Sequence, residues 1–189
     1  DLSTFFYRLD DAIVRRVNAA DQDYFVNAGG TDQKGIELQL NALLAQQLNM
    51  IQNLRLNSAL TYSDFKFRDY VVGNENFSGN RLTGVPKWII ANSLSFDVNK
   101  NFQLFIQHTY NSKTSLNDAA TVFADSYHLL QTKVSWLQKL NEHNLKFSLG
   151  ADNMLNQSYS LGNDLNAFGN RYFNTAAKFN YYASVNFSW

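Results

Sequence analysis

The sequence predicts an all-β protein, the wall of an antiparallel transmembrane β-barrel with about eight strands. Three observations carry this prediction. Apolar and polar residues alternate with a period of two along successive runs, which fits strands and excludes helices. The connections between runs alternate between short and long, as the two ends of a membrane barrel do. No run approaches the roughly 18 consecutive apolar residues of a membrane helix. The mean hydropathy of −0.33 is compatible with a barrel, because only every second strand residue must be apolar while polar inner residues and loops lower the mean.

The runs follow in chain order. The first sets Phe5, Tyr7, Leu9 and Ile13 against Thr4, Arg8 and Asp10; the second sets Ile36, Leu38, Leu40, Ala42 and Leu44 against Glu37, Gln39 and Asn41. Leu54, Leu56, Leu60 and Tyr62 then oppose Arg55, Asn57, Thr61 and Ser63. Trp88, Ile90, Leu94, Phe96 and Val98 form the next apolar face, with Asn92 as an exception. Phe102, Leu104, Ile106, His108 and Tyr110 alternate with Gln103, Gln107 and Thr109, and His128, Leu130, Thr132, Val134 and Trp136 with Gln131, Lys133 and Ser135. The last two runs are the cleanest: Leu145, Phe147, Leu149 and Ala151, then Phe179, Tyr181, Ala183, Val185, Phe187 and Trp189. Each run is near or above the roughly 9–11 residues that cross a bilayer at a tilt. Phe179, Tyr181, Val185, Phe187 and Trp189 are therefore expected to face the membrane.

Short turns are expected near Ala45–Gln52, Asn99–Asn101 and Gln138–His143, and long polar connections at Arg16–Lys34, Lys66–Pro86, Lys113–Asp125 and Asn153–Ala176. The only proline, Pro86, falls at a loop-to-strand boundary, where a missing N–H costs no ladder bond. Aromatic girdles are expected from Phe96, Phe102, Trp136 and Trp189 on the short-turn side and from Tyr62, Trp88, Tyr110 and Tyr127 on the long-loop side, because amphipathic rings favour the headgroup level.

Composition narrows the function. The 16 basic and 16 acidic residues leave no net charge to draw the chain to nucleic acid, and the lack of cysteine excludes disulfides, thiolate metal sites and a cysteine nucleophile. The 189 residues suit a single domain. Asp1–Leu9 has no initiator Met, basic segment or apolar leader, and the chain opens inside a strand-like run, so a piece of a longer protein is expected.

Several motifs, in order, resemble TonB-dependent outer-membrane receptors, which import ferric siderophores and similar scarce nutrients. Phe6–Val14 (FYRLDDAIV) resembles the family's aromatic-x-x-x-Asp-x-Ile/Val strand, and Gly29–Leu38 (GGTDQKGIEL) its loop-to-strand entry ending in Gly-Val/Ile-Glu-Leu. Tyr62–Tyr70 with Gly79–Lys87 (GNRLTGVPK) is similar to the Tyr-Thr-Tyr strand, loop and Gly-x-Pro return of siderophore receptors. Ala151–Tyr159 (ADNMLNQSY) resembles the Asn-Leu-Phe-Asp-x-x-Tyr box, with Met154 and Leu155 in place of Leu-Phe. Gly169–Trp189 ends like the family's last strand, with Trp where Phe is commoner. The resemblance implies that residues 1–189 are the C-terminal part of a larger barrel of roughly 22 strands, with the globular plug and earlier strands absent. It also implies a bacterial outer-membrane location, uptake of an iron chelate of the siderophore or ferric citrate class, coupling to TonB through the missing N-terminal part, and insertion by the barrel assembly machinery, which reads the aromatic C-terminus.

No catalytic constellation is visible, so no enzyme activity and no cofactor are expected. His108, His128 and His143 lie on separate runs without a ligand-spaced partner, serines lack a Gly-x-Ser-x-Gly elbow, and Gly29, Gly30 and Gly35 lack phosphate-loop spacing. Arg8, Glu37, Arg55, Lys133 and Lys146 are expected on the inner face, where mixed charges keep a barrel interior wet. Arg68, Tyr70, Arg81, Arg171 and Tyr172 are the ligand-binding candidates, since guanidinium and phenol groups on long loops suit an anionic iron chelate. Two other functions fit the strand pattern: a complete eight-stranded outer-membrane barrel with a structural or adhesive role, and a soluble lipocalin-like binder with its apolar face turned inward.

Overall fold

The computed structural model describes residues 1–20, 22–27 and 29–189; Asp21 and Ala28, inside the predicted first long connection, lie outside the described residues. Eight strands form one sheet: β1 (Leu2–Asp10), β2 (Gly30–Leu48), β3 (Ile51–Arg68), β4 (Trp88–Asp97), β5 (Phe102–Asn111), β6 (Tyr127–Leu140), β7 (His143–Asp152) and β8 (Asn180–Ser188). Each pairs antiparallel with its chain neighbours, so the sheet is a plain meander. The sheet is not closed: β1 and β8 are its two edges.

The register turns the period-two pattern into continuous rows. Leu54, Phe96, Leu104, Val134, Leu149 and Ala183 lie side by side across six strands, and the neighbouring row on the same face runs Leu56, Leu94, Ile106, Thr132, Ala151 and Tyr181. Between them, on the opposite face, run Arg55, Ser95, Phe105, Lys133, Gly150 and Tyr182. The apolar face is bare, with Leu149 at 68% and Val185 at 63% exposure, while the buried apolar residues all lie where the long connections gather, or next to them. Among the described residues no layer covers this face, so it lacks the water-excluding core that a soluble sandwich places there.

Short turns join strands at one end and long connections at the other, as the sequence predicts. The strands run further than predicted into the first turn, leaving only Asn49 and Met50 between β2 and β3. Asn49 and Asn141 adopt left-handed φ values of 54° and 55°, which asparagine tolerates well, and Asn99 Oδ1 accepts the N–H groups of Asn101 and Phe102 to close the middle turn. A bulge between Leu43 and Ala45 shifts the register of β2 against β3 near this end. The aromatic row at the short-turn end is continuous: Phe102 stacks on Trp136 at 6.3 Å and Trp136 on Phe147 at 5.6 Å. At the other end Tyr62 meets Trp88 at 4.5 Å.

Four expectations are corrected. In β1, Leu2 and Phe6 share the apolar face with Leu38 and Ile36, whereas Phe5, Tyr7 and Leu9 lie on the polar face; Ile13 belongs to a separate hairpin, Ile13–Val17 with Asp23–Asn27. Arg8 consequently leaves the polar face and pairs with Asp32 at 3.1 Å on the other. Tyr127 also changes sides: it pairs in register with Asn111 on the polar face and receives the Asn111 amide on its hydroxyl at 3.0 Å. His108 and His128, read as unpaired, are diagonal neighbours whose Nε2 and Nδ1 atoms share a hydrogen bond at 3.0 Å. They join Ser58 and Asn92, bonded at 2.7 Å, in a polar stripe across the otherwise apolar face.

The misread phase of β1 has a local cause. Phe5 lies over Gly35, where an added Cβ would sit 2.2 Å from the ring and 2.8 Å from the Tyr62 carbonyl oxygen. Phe5 also stacks on Tyr7 at 5.3 Å and meets Phe65 edge-on at 6.0 Å, forming an aromatic patch on the polar face. Gly35→Ala must displace backbone as well as a ring. We expect a loss of about 1–3 kcal/mol, the range for overpacking, read as a lowered denaturant midpoint; an unchanged midpoint would show that the ring simply swings away.

Candidate functional site: the loop cluster

The four long connections span residues 11–29, 69–87, 112–126 and 153–179, and each carries a short hairpin of its own. Asp118, in the third, is 2% exposed and gathers all four. Its Oδ2 accepts hydrogen bonds from Arg16 Nη2 and from the Tyr70 hydroxyl, both at 2.9 Å. Its Oδ1 accepts from the Thr83 hydroxyl at 2.6 Å and from Asn166 Nδ2 at 3.1 Å. The backbone joins in: Asp118 N–H donates to Asn166 Oδ1 at 3.0 Å, and Asn80 Nδ2 donates to the Asp118 carbonyl at 2.8 Å. Four donors on one carboxylate compensate the desolvation that burial imposes.

Aromatic packing completes the cluster. Tyr70 is fully buried between Phe67 at 4.7 Å and Phe77 at 5.3 Å, and the Arg16 guanidinium lies 5.5 Å from the Phe77 centroid. Burial pushes the Tyr70 phenol up to about 12; Asp118 reinforces the shift and Arg16 opposes it. The group therefore stays protonated as a donor to Asp118 at neutral pH. The loops also approach backbone to backbone: Gly84 N–H donates to the Ser115 carbonyl at 2.8 Å, and an added Cβ on Gly84 would lie 2.6 Å from Leu165 Cδ1.

Beside the cluster, the first and fourth connections enclose a cleft of about 680 Å³. Arg15 and Arg171 supply cations, Asp23 and Asp164 carboxylates, and Phe168 and Phe173 apolar surface. Arg15 pairs with Asp23 at 2.7 Å. Asp118 acts on this cleft at one remove, since Arg16 adjoins Arg15 and Asn166 lies two residues before Phe168.

The sequence-predicted candidates separate into different environments. Arg171 lines the cleft, and its neighbour Tyr172 is 7% exposed, with its carbonyl accepting from Asp164 N–H at 3.0 Å. Tyr70 is a structural member of the Asp118 cluster, with no exposed surface to offer a ligand. Arg68 is held by Asp10, by Asp32 at 3.7 Å and by Asp69 at 3.8 Å, away from the cleft. Arg81 is exposed at a backbone bridge to Lys66. Arg15, Arg16, Asp118 and Asn166 were not predicted. They are separated by up to 151 residues and share no local motif, so only the fold brings them together. Among the described residues, no group of three or more His, Asp or Glu is placed to hold a metal ion.

The model of the TonB-dependent receptor-like β-barrel family matches residues 1–154. This chain belongs to the TonB-dependent receptor family. The family comprises transport receptors rather than enzymes and implies a bacterial outer membrane. Solved structures agree on the fold of this TonB-dependent receptor segment. The siderophore receptor PiuA from Acinetobacter baumannii is 17% identical with a TM-score of 0.71, the match covering 97% of this chain and 25% of PiuA. BauA, the ferric preacinetobactin receptor of the same organism, is 19% identical with a TM-score of 0.65, over 98% of this chain and 26% of BauA. The ferric-catecholate import receptor Fiu from E. coli K12 is 12% identical with a TM-score of 0.66, over 98% of this chain and 24% of Fiu. The chain thus spans about a quarter of the length of each receptor.

Proposed function

We propose that this chain forms barrel wall and extracellular loops in a receptor that imports an iron chelate of the siderophore or ferric citrate class, energised by TonB. The observation that carries the reading is the loop cluster: four connections are tied at Asp118, and Arg15 of the first and Arg171 of the fourth line one cleft beside it. Guanidinium groups with aromatic neighbours suit an anionic chelate, and Arg171 is the sequence-predicted candidate that lines the cleft. In this reading the bare apolar face meets outer-membrane lipid, with Phe179, Tyr181, Val185, Phe187 and Trp189 outward along the last strand. The unpaired edges of β1 and β8 favour a larger barrel over a closed eight-stranded one, and the uncovered apolar face disfavours a soluble binder.

Uptake of radiolabelled iron by cells carrying the full-length receptor tests the function, using ferric catecholate, hydroxamate and citrate complexes. One of these should be taken up with TonB present and not in its absence, and Arg171→Gln should weaken its binding. Uptake of none of them, or uptake independent of TonB, would overturn the reading.

The exposed C-terminal aromatics carry a second expectation. Trp189 is 90% exposed beyond β8 and packs on Phe187 at 5.9 Å, at the free edge where strand addition takes place. Deleting Trp189 from the full receptor is expected to reduce the folded, heat-modifiable fraction in outer membranes while leaving export to the periplasm intact. Normal insertion with a lowered melting temperature would leave Trp189 only a girdle role.

A further inference from the structure

The polar face of the sheet carries a second cluster, toward the short-turn end and far along the strands from the loops. Arg55, Lys133 and Lys146 converge there on one cleft of about 240 Å³ whose only lining carboxylate, among the described residues, is Asp97. The register explains the convergence. Arg55, Ser95 and Lys133 lie in one row, while Asp97, Gln103 and Ser135 lie in the next. Lys146 sits opposite Leu137, a further two residues along β6, and reaches back to donate to Gln103 Oε1 at 3.2 Å. Serine at 95 and 135 leaves open the floor over which these side chains meet.

The charges do not balance. Asp97 is committed to Arg55 at 3.4 Å and also accepts from Asn53 and Gln103, each at 3.2 Å. Lys133 lies 5.8 Å from the Phe105 ring centroid, and neither Lys133 nor Lys146 takes part in an ion pair among the described residues. Three cations against one carboxylate leave two positive charges facing a cleft with hydroxyl and amide groups. An ammonium group is a strong donor that gains most from a charged oxygen acceptor.

We propose that this cleft is an oxyanion-binding site on the inner wall, fitted to a small polycarboxylate or the carboxylate arm of a chelate, and distinct from the cleft between the loops. The assignment of this face to the barrel interior rests on the proposed function; the charge arrangement does not. The volume suits a small anion, and the lysines supply two donors that the wall itself leaves without carboxylate partners.

The test uses the full-length receptor in detergent and citrate as the probe. Amine-reactive labelling is followed by peptide mass spectrometry, with exposed Lys139 as the internal control. Citrate is expected to slow labelling of Lys133 and Lys146 severalfold and to leave Lys139 unaffected, and Arg55→Gln should weaken that protection. Equal labelling rates with and without citrate would overturn the proposal. So would lysines that are unreactive even without citrate, which would mark the cleft as a contact for another part of the polypeptide. In cells, Lys133→Gln with Lys146→Gln should slow uptake while leaving chelate affinity at the loops unchanged. Failure of every iron complex to enter cells, with citrate protection intact, would refute the proposed cargo and not this site.

Discussion

Replacing Asp118 with leucine is expected to release the four long loops from one another while leaving the sheet folded. The substitution removes the acceptor for Arg16, Tyr70, Thr83 and Asn166 at once and leaves the Arg16 side chain, only 18% exposed, without its countercharge. Breaking a buried ion pair from one side costs about 3–5 kcal/mol. The loss should appear as faster hydrogen exchange and protease cleavage in residues 69–87 and 153–179, with the heat-modifiable barrel band retained. Combining Asp118→Leu with Arg16→Met should recover part of the loss, because the stranded charge is removed as well. Loops that stay protected in the single variant would show that backbone contacts such as Gly84 to Ser115 hold the cluster unaided.

Ile106→Arg is expected to cost about 2–4 kcal/mol in lipid, the range for a basic residue at the bilayer midplane. Ile106 lies in the row of Leu94 and Thr132, between the Phe102–Trp136 row and the Tyr110 row. Val185 lies opposite Phe147, level with the aromatic row at the short-turn end, so the same change there should cost less. Gln107→Arg, one residue along on the polar face, serves as the control. Equilibrium refolding into vesicles reads all three; equal costs at positions 106 and 107 would deny the two faces different surroundings.

The strands were legible because period two survives wherever one face is apolar and the other polar, as in Leu145–Ala151 and Phe179–Trp189. Residues 5–7 defeat the same test, because Phe5, Phe6 and Tyr7 place aromatics in both phases. Only pairing with Gly35, which makes room for Phe5, determines the side. The long connections were legible as loops but their contacts were not. Asp118 and Arg16 are 102 residues apart, and no spacing rule links an aspartate in one polar loop to an arginine in another. Tyr70 was singled out for its phenol, yet the ring that suits a ligand chemically is the one the loops bury. His108 and His128 illustrate the same limit, since their contact follows from the β5–β6 register and not from their separation in sequence.

The proposed function requires one face of this sheet to meet lipid and the other the interior of a larger barrel. Spin labels placed singly along Asn180–Ser188 and Phe102–Asn111 in the membrane-inserted full receptor test it most directly. Oxygen accessibility should oscillate with period two, highest at Tyr181, Ala183, Val185 and Phe187 and at Leu104 and Ile106, with the neighbouring positions responding to water-soluble relaxants. A helical period, or low oxygen access on both faces, would contradict it.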